Sequence, residues 1–238
     1  MKSFIRNLIP TSTWESLKKS IWAYSDYVSF KSYSGEGEDM ILRKIFYKKE
    51  KGFYVDIGAY HPKKSSNTYF FYKKGWCGIN IDAMPGSMKL FNQLRRRDIN
   101  LEVPLGMDGE EVNYYEFADK ALNGFESPKL MEKDASKTQN KLIKIHQLKS
   151  KSLNSILQDY LPEKQIIDFI SIDVEGQELR ILESFDFEKY QPEWILTEIW
   201  DFSMDKNENG EVHALLKSKG YSPKAKTLNT IFYKKANE

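Results

Sequence analysis

The sequence has one cysteine, Cys77, in 238 residues, which excludes a disulfide framework within the chain and a zinc site built from cysteines. Histidine is nearly as scarce, and His61, His146 and His213 are too scattered to read as a histidine-rich metal site. No apolar run approaches the roughly 18 residues that a membrane-spanning helix needs. The start, MKSFIRNLIPTSTWE, lacks the continuous apolar stretch and small-residue cleavage site of a signal peptide. Charge of one sign is missing too: 36 Lys+Arg face 34 Asp+Glu, a formal +2 that gives no reason to expect nucleic acid as a partner. Repeats and low-complexity linkers are absent. With 40% hydrophobic and 14% aromatic residues, the chain is ample for a real core. The expected class is a cytoplasmic globular enzyme.

What is present alternates between strand-like and helix-like segments. Phe53-Tyr54-Val55-Asp56-Ile57 reads as a short buried strand followed at once by Gly58, and a helix from Ser66 to Lys74 is stopped by Gly75. Cys77 to Ile81 is a second strand ending in Asp82, Pro85 opens the next helix, and Ile99 to Leu105 is a third strand. Val112 to Phe117 and Leu142 to Leu148 are less regular strands. Ser152 caps a helix whose inner face is Leu153, Ile156, Leu157 and Tyr160. Ile166 to Ile172 ends in Asp173, and Trp194 to Thr197 ends in Glu198. A last helix closed by Gly220 leads to two strand-like runs around Leu228-Asn229, a hairpin. Such alternation implies βαβ units around a parallel sheet. Residues 1–30 stand apart as an N-terminal helical extension, with Trp14, Leu17, Ile21 and Trp22 on one side and Lys18 and Lys19 near the other. That helix suits packing on the body or on a second subunit of a homo-oligomer, or peripheral contact with a membrane surface.

In open α/β sheets, ligands bind outside the carboxyl ends of the strands, where strand order reverses. Asp56, Asp82, Asp173 and Glu198 stand at four such ends. Gly58 lets a ligand approach the backbone, and Asp82 can accept both hydroxyls of a ribose. No phosphate-binding glycine fingerprint follows the first strand, because Tyr60 and His61 carry bulk where a dinucleotide loop needs bare backbone. The only Gly-x-Gly, Gly35 to Gly37, contains Glu36 and precedes Glu38 and Asp39, which would repel phosphate. A ribose site without a pyrophosphate cradle points to S-adenosylmethionine, whose positive charges suit an acidic crest.

The runs FYVDIGAYHP (53–62), SNTYFFY (66–72), GWCGINIDAMPG (75–86) and IDFISIDVEGQELRILESFDFEKYQPEWILTE (167–198) closely resemble the FkbM family of S-adenosylmethionine-dependent methyltransferases. The resemblance spans about residues 33 to 200. It implies a Rossmann-like class I methyltransferase fold over residues 31–238, with a mostly parallel seven-stranded sheet and an antiparallel C-terminal strand. It also implies O-methylation of sugars or secondary metabolites. Carried over by position, Asp56, Gly58 and Ala59 are similar to the methionine-binding loop. Asp82 matches the ribose ligand, and Met84, with Ala83 beside it, would flank the adenine. Ser34-Gly35-Glu36-Gly37-Glu38-Asp39 is similar to the family's Ser-Gln-x-Gly-Glu-Asp element, with Gly35 where glutamine is usual; Ser34, Glu38 and Asp39 are cofactor candidates.

Methyl transfer to a hydroxyl needs an in-line approach and a base. The base candidates are His61, directly after the cofactor loop, and Asp173, Glu175 and Glu198. Asp173 and Glu198, on neighbouring strands, could instead converge on Mg²⁺, which takes hard oxygen ligands. Asp173 is also counted among the cofactor residues. Lys63, Lys64, Asn67, Glu175, Trp200 and Asp201 are the candidate acceptor contacts, the lysines suiting an anionic nucleotide-linked sugar or surface polysaccharide. From Lys120 to Lys151 eight lysines face three acids, a basic stretch fit to attract such a substrate. Arg95-Arg96-Arg97 reads as a solvated helix end, and His146 and His213 as surface residues. A nicotinamide-dependent sugar oxidoreductase shares the fold and the ribose acid but needs the missing fingerprint. A non-catalytic module binding cofactor or glycan is the remaining alternative.

Overall fold

The computed structural model describes residues 10–24, 30–119, 123–125, 141–174, 176–199, 202–203 and 210–236. The chain divides into two compact units, Met1–Ser32 and Tyr33–Glu238. In the first, helix α1 (Thr11–Tyr24) carries a half-buried Trp14, with Lys18 paired to Glu15 and lying 5.9 Å from the Trp14 ring centre.

The second unit is built on a seven-stranded sheet. Its strands are β1 (Phe53–Ile57), β2 (Cys77–Asp82), β3 (Ile99–Glu102), β7 (Phe169–Ile172), β8 (Trp194–Glu198), β9 (Tyr221–Lys226) and β10 (Thr230–Lys235). They lie in the order β3-β2-β1-β7-β8-β10-β9. β1, β2, β3, β7 and β8 run parallel, whereas β10 is antiparallel to both β8 and β9. The chain winds outward from β1 to β3 and then returns to the other side of β1, so strand order reverses between β1 and β7.

Apolar residues at successive strand positions let both faces be covered. On one face Val55, Ile57, Ile79, Ile81, Ile170, Ile172 and Ile195 pack against α5 (Leu153–Tyr160), α6 (Glu178–Glu183) and α7 (Gly210–Ser218). On the other, Tyr54, Phe169, Leu196 and Phe232 meet Leu42 and Phe46, Phe71 and Trp76, from and around α2 (Glu38–Ile45) and α3 (Tyr69–Lys73). Each large apolar side chain so enclosed contributes about 1.5–3 kcal/mol. Ser152 caps α5 by accepting from the Ser155 N–H.

Between β3 and α5 the chain leaves this sheet to form a second, antiparallel one, β5-β4-β6, from β4 (Glu111–Phe117), β5 (Gly124–Phe125) and β6 (Leu142–Lys149).

Several local expectations change. Pro85 sits in a turn and α4 begins only at Met88 (Met88–Leu94). α3 begins at Tyr69: Ser66 Oγ accepts from the Tyr69 N–H at 3.2 Å, and the Thr68 side chain donates to Asp56 on β1. His213 is buried with Nδ1 2.8 Å from the Tyr233 hydroxyl, and half-buried His146 pairs with Glu116 at 2.7 Å. Neither is a free surface residue. No helix among the described residues is long and apolar enough to cross a membrane.

Candidate active site

A cavity of about 280 Å³ opens at the carboxyl ends of β1, β2 and β7, at the strand-order reversal. Gly58, Asp82, Ala83 and Asp173, from three separate strand ends, line it together. Ile81, Val103, Leu105 and Ile181 give it apolar walls, and the second sheet closes it with Tyr114, Asn123, Gly124 and Phe125. The Tyr114 and Phe125 rings meet edge to face at 5.2 Å. Asn123 accepts from the Phe117 N–H and lies 3.6 Å from the Met84 sulfur, linking that sheet to the turn after β2.

Asp82 is fixed on both oxygens: Oδ2 accepts from the Tyr60 N–H and Oδ1 from the Met84 N–H, each at 2.9 Å. Burial pushes its carboxyl up, while the Met84 and Tyr60 amides pull the other way. A carboxylate oxygen has a second lone pair, so these bonds orient the group without exhausting it. Gly58 has φ of +78°, and the neighbouring Asp173 N–H donates to the Ile57 carbonyl at 3.0 Å.

Asp56 is placed differently. Its buried carboxylate is not among the cavity-lining groups; Oδ2 accepts from Thr68 Oγ1 at 2.7 Å, and burial pushes its pKa up to about 6. Ala59 is buried in a small cluster with Met88 and Phe91. Met84 turns toward Asn123. Ser34 and Asp39 bond each other, Oγ to Oδ1 at 2.8 Å, while Asp39 Oδ2 accepts from the Tyr33 N–H. Glu38 accepts from the Glu36 N–H and from Thr230. These three shape the turn into α2, and none lines the cavity. Glu36, which sequence reasoning treated only as repelling phosphate, accepts from Thr227 Oγ1 and from the Asn229 backbone and side-chain N–H groups, pinning the β9–β10 turn.

The loop after β1 holds two residues in the left-handed region, Tyr60 at φ 52° and Ser65 at φ 47°, each costing on the order of 1–3 kcal/mol. Both line the cavity. Between them on the loop, and not itself lining the cavity, His61 Nδ1 accepts from the Lys63 and Lys64 N–H groups at 3.1 and 3.0 Å. A neutral imidazole has one acceptor nitrogen, so this arrangement makes Nε2 the N–H side, a donor rather than a base. Lys63 and Lys64 are exposed, and Asn67 donates to Ser171 Oγ at 3.0 Å. Glu198 ends β8 opposite Thr230 and does not line the cavity, so it and Asp173 do not share that lining. No group of three or more His, Cys, Asp or Glu among the described residues is placed to hold a metal ion. Glu175, Trp200 and Asp201 lie outside the described residues.

Sequence reasoning missed Arg95, which is fully buried rather than solvated. Nε donates to Asp98 and Nη1 to the Pro62 carbonyl, while Nη2 donates to Tyr54 and Thr68. Burial pulls its pKa down, but Tyr54 and Asp98 outweigh that and raise it above the ordinary arginine value, so the guanidinium stays charged. Asp98 three residues on was the available signal.

A mostly parallel sheet with antiparallel last strands, a glycine loop after β1 and an acid ending β2 together define a Rossmann-like class I methyltransferase fold. The methyltransferase FkbM domain model matches residues 56–223. The chain belongs to the FkbM methyltransferase family. No curated protein matches it. Among solved structures, the crystal structure of a "putative O-methyltransferase from Klebsiella pneumoniae" is similar at 10% identity and a TM-score of 0.39, over 99% of this chain and 96% of that one, a likeness too loose to locate a function.

Proposed function

We propose that this methyltransferase moves a methyl group from S-adenosylmethionine to a hydroxyl of a sugar, nucleotide-linked or part of a surface polysaccharide. The observation that carries the reading is the convergence of Gly58, Asp82 and Asp173 on one cavity. The residues present fit the cofactor. Gly58, lacking a side chain, lets the Asp173 main chain close against it so that both strand ends reach the cavity, Asp82 offers oriented acceptors for ribose hydroxyls, and the walls between Ile81, Val103, Leu105 and Phe125 suit a flat purine. When bound, S-adenosylmethionine supplies an electrophilic methyl group on a sulfonium.

The chain's own part is to bind, align and deprotonate. Holding the reacting atoms in line supplies roughly 7–11 kcal/mol. Asp173, at the end of β7 on the cavity, is the base that takes the acceptor's proton, worth about 10²–10⁴-fold. His61 serves as a donor through Nε2, orienting the acceptor. Exposed Lys63 and Lys64, on the loop between Tyr60 and Ser65, meet an anionic acceptor.

Calorimetry with S-adenosylhomocysteine and with NAD tests the cofactor: tight binding of the first and none of the second is expected, and the reverse defeats the reading. Formation of S-adenosylhomocysteine with candidate nucleotide sugars tests the reaction. Near-normal turnover by Asp173→Asn with unchanged cofactor affinity would remove Asp173 from the base role.

A further inference from the structure

The loop that carries Tyr60 and Ser65 to the cavity is strained at both residues, and such backbone persists only where its surroundings over-determine it. Part of that hold comes from the cavity side, where Asp82 grips the Tyr60 N–H. A further part comes from beneath, from Arg95. We propose that Arg95 is a positioning residue for methyl transfer: a buried fork that fixes the 58–68 segment by its Pro62 carbonyl and by Thr68, setting Tyr60 and Ser65 at the cavity.

The bonds are specific to that task. Four of the five guanidinium N–H groups are engaged: Nε on Asp98 at 2.8 Å, Nη1 on the Pro62 carbonyl at 3.0 Å, and Nη2 on Tyr54 at 2.8 Å and Thr68 at 2.9 Å. Thr68 passes the contact on, donating to Asp56 at 2.7 Å, at the end of β1 two residues before Gly58. Asp98 anchors the fork in turn, accepting from Tyr54, the Gly78 N–H and Asn80. Arg95 thereby ties the start of the loop, through Asp56, to its middle at Pro62 and its end at Thr68. A buried cation is expensive, and an apolar side chain of similar volume would fill the space at lower cost. What only a planar fork adds is simultaneous contact with the loop and with β1. Lysine in its place keeps a charge beside Asp98 but cannot reach Pro62 and Thr68 together.

The test compares wild type, Arg95→Lys and Thr68→Val, which cuts the link to Asp56 while leaving Arg95 in place. Hydrogen–deuterium exchange is measured without ligand, S-adenosylhomocysteine affinity by calorimetry, and thermal midpoint by scanning calorimetry. Exchange across residues 58–68 is expected to quicken at least tenfold in both variants with strands β1 and β7 unchanged, and the dissociation constant to rise about tenfold. A residue that merely stabilises the core would lower the midpoint while leaving local exchange and affinity in the folded protein alone. Should Arg95→Lys not fold, Thr68→Val decides by the same readouts. Loop exchange and affinity within twofold of wild type overturn the proposal. The affinity arm rests on the cofactor reading above; wild type that fails to bind S-adenosylhomocysteine sinks that reading, and the exchange arm then decides Arg95 alone.

Discussion

Gly58 and Asp173 meet backbone to backbone: a Cβ added to Gly58 would fall 1.7 Å from the Asp173 carbonyl oxygen. No rotamer relieves that overlap, because a Cβ has no torsion of its own and the oxygen it meets is main chain, held at the ends of two paired strands. The φ of +78° adds strain for any residue with a side chain. Gly58→Ala is therefore expected to destabilise the protein by at least about 3 kcal/mol or to prevent folding, as urea denaturation or soluble yield would report. A variant of wild-type stability would show that the two strand ends can part.

Asp82→Asn separates binding from folding. Asparagine has one acceptor oxygen in place of two, so the Tyr60 or the Met84 N–H loses its partner, a cost of about 1–3 kcal/mol. The larger effect should fall on the ligand, with S-adenosylhomocysteine affinity reduced at least tenfold by calorimetry. Unchanged affinity would remove Asp82 from the ribose site.

Asp56 gives the pH dependence a sign. Folding raises its pKa from 3.8 to about 6 through burial, so the protonated carboxyl favours the folded state. That contribution is complete below about pH 3.8 and is lost as pH rises through about 6. The shift corresponds to about 3 kcal/mol. Asp56→Asn is neutral at every pH and keeps an oxygen for Thr68. Its stability relative to wild type should therefore rise by about 2–3 kcal/mol between pH 4 and 7, measured by urea denaturation. A difference that stays constant across that range refutes the assignment.

His61 can be examined directly. Since Nδ1 accepts two backbone N–H groups, ¹⁵N spectra of the imidazole should show the Nε2–H tautomer in the neutral ring, and Nδ1–H would contradict the geometry. His61→Asn should retain stability to within about 0.5 kcal/mol, because an asparagine oxygen can accept the same two amides.

The core sheet was legible because its strands are short apolar runs ending in an acid or a glycine, and the hairpin because two such runs flank Leu228-Asn229. Gly58, Asp82 and Asp173 were legible for the same reason: strand ends put them on one crest. Asp56 shared that signal, yet the pleat turns its side chain to the opposite face, toward Thr68, which alternation alone could not weigh against a cofactor role. Arg95 was hidden inside three consecutive arginines, since its partners Tyr54, Pro62 and Thr68 lie 27 to 41 residues away. The strands of the second sheet were visible as runs, but that they pair with one another and bring Tyr114 and Phe125 over the cavity depends on long-range register.

That second sheet enters and leaves through a single doorway. Leu105 and Lys151 pair in an isolated parallel bridge, with the Gly106 N–H on the Lys151 carbonyl and the Lys151 N–H on the Pro104 carbonyl, each at 3.0 Å. A graft whose two ends already lie side by side can be exchanged without stretching its host. The roof over the cavity is thus hung from one point of the fold, so its sequence can change while the strands that carry Gly58, Asp82 and Asp173 stay as they are.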